Sequence, residues 1–213
     1  MRYDLYVVTD EALSCGLTHA RIAEYATQGG ADVIQLREKE KSCRELYEIA
    51  CEIREVTART GSCFIMNDRM DIALACGADG VHFGQDDLPL VAARAIAPRP
   101  FIIGISTGTV EEAVTAERNG ADYVAVSPVF STRSKSDAGP GQGLALVREI
   151  RRAVSIPVIG IGGIHTGNAE DVIAAGADGI AVISAVVSQQ DVTQAARVLR
   201  EIVVKKRREA VYP

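Results

Sequence analysis

Two carboxylates and three cations stand just past short apolar runs, where they could jointly hold a phosphorylated ligand. Arg37 and Lys39 follow the run that ends at Leu36, Asp68 follows Cys63–Met66, and Asp87 comes soon after Gly80–Phe83. Lys135 lies in a long stretch rich in Gly, Ser and Pro, from Ser127 to Gly143. Arginine offers a fork of donors and lysine a point charge, so both suit an anion. A solvated charged turn is the plainer reading of Gln35-Leu36-Arg37-Glu38-Lys39. Likewise Asn67, Asp68, Asp86 and Asp87, each taken alone, read as helix caps. The pair Asp68 and Asp87, facing Arg37 and Lys39, fits a magnesium ion held between carboxylates and a diphosphate. Both acids would be ionised near neutral pH, as ligands must be.

A second group of residues suits a monophosphate. Thr132-Arg133-Ser134-Lys135 brings hydroxyls and cations together, and Gly162-Gly163 offers bare backbone N–H groups. Ile183-Ser184 precedes a helical pattern, which would add a helix N-terminus to that cradle. Ser106-Thr107 offers hydroxyls that could contact a ligand or merely cap a helix. The histidines form no obvious acid–base pair. His19 reads as a surface residue, His82 as a packed or hydrogen-bonded strand residue, and His165 as the start of a loop.

The elements that must position these groups are announced by a repeat. Gly-Ala-Asp occurs ahead of a short apolar run at Gly30, Gly77, Gly120 and Gly176. The copies are 47, 43 and 56 residues apart, about the length of two strand–helix pairs. Each looks like a helix stop followed by a buried strand. Four such periods predict a (β/α)₈ barrel, which carries its chemistry at the C-terminal ends of its strands. The expected strands are Leu5–Thr9, Asp32–Leu36, Cys63–Met66, Gly80–Phe83, Phe101–Ile105, Asp122–Val126, Pro157–Ile161 and Asp178–Val182. Most are continuous apolar runs, as parallel strands buried on both faces should be. Helical patterns lie between them, at Arg44–Arg59, Asp71–Cys76, Leu88–Ala97, Val110–Asn119 and about Val192–Val204. Asp87-Leu88-Pro89 reads as a cap followed by an early-helix proline.

The 213 residues suit one barrel domain spanning 1–213, with little room for a second. Net charge is −5, and the one basic run, Lys205–Arg208, reads as a helix end more readily than as a nucleic-acid site. No signal-like start and no bilayer-length apolar run is seen, and five cysteines lack Cys-x-x-Cys spacing. A cytoplasmic protein without nucleic-acid or membrane partners is expected. A homo-oligomer is possible but not readable.

In the order and spacing of these segments, the chain resembles the thiamine-phosphate synthase family over nearly its whole length. The matching segments are Tyr6–Asp10, Gln35–Lys39, Asn67-Asp68-Arg69 with Asp71, and Gly77–Gln85 with Asp87-Leu88-Pro89. They continue through Gly104-Ile105-Ser106, Pro128-Val129-Phe130, Lys135 with Asp137, Gly160–Ile164 and Ile183-Ser184. The resemblance implies a magnesium-dependent barrel enzyme that joins a pyrimidine-methyl diphosphate to a thiazole phosphate and releases pyrophosphate. By motif, Gln35, Leu36, Arg37, Glu38, Lys39 and Asn67 would hold the pyrimidine diphosphate. Asp68 and Asp87 would bind magnesium, and Ser106 and Lys135 would contact the pyrimidine substrate and its diphosphate. Arg37, Lys39, Ser106 and Lys135 would be the catalytic groups. Thr132, Arg133, Ser134, Gly163, Ile183 and Ser184 would hold the thiazole phosphate. Where the family usually has Thr-x-Thr-Lys, this chain has Ser134, which keeps the hydroxyl.

Two rivals remain on the sequence alone. A thiazole tautomerase of the same superfamily needs the monophosphate corner but no diphosphate–magnesium corner. A non-catalytic binder of phosphorylated ligands would need no chemistry at all. Fold does not separate the three.

Overall fold

The computed structural model describes residues 2–97, 99–134 and 139–211, without the side chains of 210 and 211. Eight parallel strands close into a barrel in sequence order. They are β1 (Leu5–Thr9), β2 (Val33–Leu36), β3 (Cys63–Asn67), β4 (Gly80–Phe83), β5 (Ile102–Thr107), β6 (Tyr123–Val126), β7 (Val158–Ile161) and β8 (Gly179–Val182). Pairing of β1 with β8, Leu5 opposite Ile180, closes the ring. Around it lie α1 (His19–Gln28), α2 (Cys43–Thr60), α3 (Met70–Cys76), α4 (Leu90–Ile96), α5 (Val110–Arg118), α6 (Gly143–Ala153) and α7 (Ala169–Ala174). A single turn, α8 (Ser184–Val187), precedes the long α9 (Val192–Val211).

All four repeat glycines have left-handed backbone, with φ of 95°, 69°, 95° and 104°. Each lets the chain leave a helix at a turn that a side chain would strain. The aspartate two residues later does a second job. Asp32, Asp79, Asp122 and Asp178 accept an N–H from the first or second residue of the preceding strand, from Leu5, Phe64, Ile103 and Val158 at 2.8–3.0 Å. Each also pairs with an arginine of an outer helix: Arg200, Arg54, Arg94 and Arg151 respectively. The repeat therefore clamps the N-terminal ends of alternate strands to the helical layer. The other ends are left to carry the site.

Two apolar layers fill the molecule. Leu36, Phe64, Met66, Phe83 and Ile103 pack outward against helix residues such as Ile53, Ala93 and Val147. Tyr6, Val8, Ile65, Tyr123, Ile159 and Ile183 fill the barrel interior. A filled interior makes the barrel a rigid platform rather than a pore.

Several expectations need correction. β5 runs on through Thr107, so Ser106 and Thr107 belong to the strand. The α4 helix starts at Leu90 with Pro89 as its cap residue. Asp87 does not cap it: its Oδ2 accepts the N–H of Gly84 at 2.7 Å. The α9 helix extends well beyond Val204, and the basic run lies inside it, with Arg207 paired to Asp4 and Lys206 to Glu209. His19 is buried, not on the surface. Its ring is satisfied by Thr9 Oγ1 at 2.7 Å and Glu38 Oε2 at 3.3 Å, which is how a polar ring tolerates burial.

Candidate active site

The residues expected to hold a monophosphate come together. Thr132, Arg133, Ser134, Gly163, Ile183 and Ser184 all line one cavity of about 580 Å³ at the C-terminal ends of β6, β7 and β8. The chain after β6 reaches it by extending the sheet: Val129 N–H donates to Ile161 and Phe130 N–H to Gly162. Ser134 Oγ donates to Ser184 Oγ at 3.1 Å, so the loop after β6 meets the turn after β8. Gly162 and Gly163 both have positive φ, which turns their backbone along the cavity wall. The helix after β8 is only one turn long. Attraction for an anion here rests on N–H groups, hydroxyls and Arg133 rather than on a helix dipole.

The residues expected at a diphosphate lie at the C-terminal ends of β2 to β5. Arg37 Nη1 lies 3.8 Å from Asp10 Oδ2, and both side chains are mostly buried. Lys39 Nζ lies 3.9 Å from Asp68 Oδ2. Asn67 and His82 are register partners on β3 and β4, so Asp68 directly follows a paired position. Asp68 is the one described non-glycine residue with positive φ, at 60°. Aspartate tolerates that conformation better than most residues, and such strain is often kept at functional sites. Asp87 spends one oxygen on Gly84 N–H, which ties its loop to the end of β4. Asp68 lies beside Lys39, and carboxylate oxygens of this kind are the hard donors that magnesium takes together with phosphate oxygens. Lys135, assigned to this corner by sequence, lies outside the described residues.

Two expected contacts are placed differently. Leu36 packs its side chain between barrel and helices, so any contact with ligand comes from its backbone. Glu38 turns its carboxylate to the Glu40 N–H, to His19 and to Lys41. Lys41 also binds Glu11 at a short distance. Glu11, His19 and Glu38 cluster closely enough to suggest a metal, but the Lys41 ammonium already neutralises both acids. This network holds the loop after β2, and with it Arg37 and Lys39. Burial raises the Glu38 carboxyl, but the bonds from Glu40 N–H, His19 and Lys41 outweigh it and hold the pKa at about 2.

A buried chain of polar groups was not expected from the sequence. Gln35, Tyr6, Tyr123, His82 and Ser106 are linked one to the next across the barrel interior at 2.7–3.0 Å. Burial raises the Tyr6 and Tyr123 phenols well above their ordinary range. The signal was present: a tyrosine inside a buried strand must bring a partner for its hydroxyl.

A closed parallel barrel with a cavity and charged residues gathered at the C-terminal ends of its strands has the form of a barrel enzyme. Residues 5–186 match the family described as thiamine monophosphate synthase, and the chain belongs to that family. A thiamine-phosphate synthase of Methanocella arvoryzae is 61% identical over 97% of this chain and 98% of its own length. One of Moorella thermoacetica is 52% identical over 97% and 98% respectively. The solved thiamine phosphate pyrophosphorylase of Pyrococcus furiosus superposes with a TM-score of 0.89 at 44% identity, covering 95% of this chain and 96% of that one.

Proposed function

We infer that the chain is a transferase that joins 4-amino-2-methyl-5-(diphosphooxymethyl)pyrimidine to a thiazole phosphate, giving thiamine phosphate and pyrophosphate. The observation that supports this reading is that Arg37, Lys39 and Asp68 and the cavity lined by Ser134, Gly163 and Ser184 lie at the same C-terminal ends of the barrel strands. A tautomerase would have no use for Asp68 and Asp87 as ligands of a diphosphate-bound metal.

In the reaction the methylene carbon–oxygen bond breaks and its electron pair leaves with pyrophosphate. The thiazole nitrogen lone pair forms the new carbon–nitrogen bond. The nitrogen is already nucleophilic, so no general base is needed, in keeping with histidines that are engaged elsewhere. Arg37 and Lys39 stabilise the charge that grows on the departing group, and Lys135 is assigned the same task by sequence. Asp68 and Asp87 would hold magnesium, which when bound neutralises diphosphate charge as a Lewis acid. Gln35, Asn67 and Ser106 bind and orient the pyrimidine end. Glu38 acts by fixing the loop that bears Arg37 and Lys39. Thr132, Arg133, Ser134, Gly163, Ile183 and Ser184 seat the thiazole phosphate and aim its nitrogen at the methylene carbon, which is catalysis by positioning.

Titration calorimetry tests this division of labour. Ser184→Asp should weaken thiazole phosphate about tenfold or more through charge repulsion. It should leave binding of pyrophosphate with magnesium nearly unchanged. Equal losses for both ligands would mean that the two corners are one site.

A further inference from the structure

We propose that Tyr6, Tyr123 and His82 form a hydrogen-bond relay that couples the amide orientation of Gln35 to the proton orientation of Ser106, so that both ends read the pyrimidine edge as one unit. The proposal rests on the reading that Gln35 and Ser106 face the pyrimidine.

The relay crosses five strands. Gln35 Nε2 on β2 lies 2.7 Å from the Tyr6 hydroxyl on β1, which lies 3.0 Å from the Tyr123 hydroxyl on β6. The Tyr123 hydroxyl lies 2.9 Å from His82 Nδ1 on β4, and His82 Nε2 lies 2.9 Å from Ser106 Oγ on β5. Gln35, Tyr6, Tyr123 and His82 are each at least nine-tenths buried. Room for the Tyr123 ring is made by Gly104, where an added Cβ would stand 2.0 Å from the tyrosine Cζ.

With His82 neutral, proton counting couples the two ends. Burial keeps both phenols protonated, so each has one proton to donate. A neutral imidazole also has one. The three middle groups thus supply one proton fewer than the four bonds require, and the last must come from one end. If Gln35 turns its NH₂ inward, donation runs from Gln35 to Ser106, and His82 carries its proton on Nε2. The Ser106 proton is then released toward the mouth and the Gln35 carbonyl faces outward. If Gln35 turns its carbonyl inward, every bond reverses, His82 carries its proton on Nδ1, and the Ser106 proton points back into the barrel. No mixed arrangement satisfies all four bonds, and a broken one would leave a buried polar group unpaired.

A 4-aminopyrimidine presents a donor, its amino group, to the outward carbonyl of the first arrangement. A 4-oxo ring presents an acceptor there instead. To meet it Gln35 must flip, and the flip withdraws the Ser106 proton on the far side of the ring. One changed atom in the substrate is therefore felt at two ends, which gives more discrimination than one bond provides.

Imidazole nitrogen resonances of ¹⁵N-histidine-labelled protein test the relay. With the aminopyrimidine diphosphate bound and no thiazole present, His82 should carry its proton on Nε2. In Gln35→Glu, at a pH above the observed titration of the introduced carboxyl, so that it can only accept, the proton should move to Nδ1. In Gln35→Glu combined with Tyr123→Phe the move should be lost. The same protonation pattern in wild type and Gln35→Glu, whether on one nitrogen or both, overturns the relay. A kinetic arm separates the relay from its premise. Tyr123→Phe should lower the kcat/KM preference for the 4-amino over the 4-oxo diphosphate by about tenfold, with the thiazole phosphate KM unchanged. If Gln35→Ala and Ser106→Ala raise the pyrimidine KM while folded Tyr123→Phe keeps full preference, the site stands and the relay falls. If neither alanine variant raises that KM, the placement of the pyrimidine is at fault and the relay falls with it.

Discussion

Asp68 joins an ionised oxygen donor to a backbone conformation that only glycines otherwise adopt among the described residues. The two properties can be separated. Asp68→Ala removes the charge and adds conformational strain, whereas Asp68→Gly removes the charge and relieves it. Both variants should lose at least about a hundredfold in kcat/KM. The glycine variant should unfold at higher urea than the alanine variant, by about 1 kcal/mol. Equal activity of either variant to wild type in the presence of chelator would contradict the metal role. Asp87→Asn should keep the Gly84 N–H bond and lose activity all the same, since the amide retains an acceptor but not the charge. At this scale the sequence was informative where charged or hydroxyl residues follow apolar runs: Arg37, Lys39, Asp68 and Ser184 all lie at the mouth. It was silent on side-chain direction. That is why His19 was expected at the surface, and why the bond from Lys41 to Glu38 was not foreseen.

The elements follow from a repeat whose glycine and aspartate have separate tasks. The glycine stop was legible because positive φ leaves a residue signature. The aspartate clamp was not, because the strand N–H and arginine that it meets come from distant parts of the chain. Asp122, for example, binds Ile103 N–H at 2.8 Å, Arg94 at 2.6 Å and Arg99 at 3.1 Å. Asp122→Ala should therefore lower the unfolding free energy by about 2 kcal/mol, since it leaves an N–H and a half-buried guanidinium short of partners. Substrate KM values should stay close to wild type, because the clamp lies at the strand ends opposite the site. Urea unfolding and steady-state kinetics on the same preparation check both halves. A large KM change would show that strand starts and strand ends are mechanically coupled. Element boundaries were read to within a residue or two, except where β5 continues through two hydroxyl residues and α9 through a basic run. Strand propensity and charge pattern are weakest as guides at such places.

For the whole molecule, the network around Lys41 predicts how stability responds to acid. Burial lowers the His19 pKa below its ordinary 6.5, against the pull of Glu11 and Glu38. Below pH 6.5 the unfolded chain takes up a proton that the folded chain resists, so stability begins to fall there. Glu38, held at about 2, contributes stability that is present above its ordinary 4.5 and lost as pH falls from 4.5 toward 2. Wild type should thus be less stable at about pH 5.5 than at about pH 7.5, and His19→Gln should lose less between the two. No difference between wild type and variant would remove His19 from this account. Among the described residues no helix is long and apolar enough to cross a membrane.

The central claim is that one barrel mouth binds both substrates and joins them. It is tested most directly by mixing the aminopyrimidine diphosphate and the thiazole phosphate with the protein and magnesium, and measuring thiamine phosphate and pyrophosphate together. The account predicts equal amounts of the two products and their loss in Asp68→Ala. Pyrophosphate without thiamine phosphate, or neither product from folded protein, would contradict it.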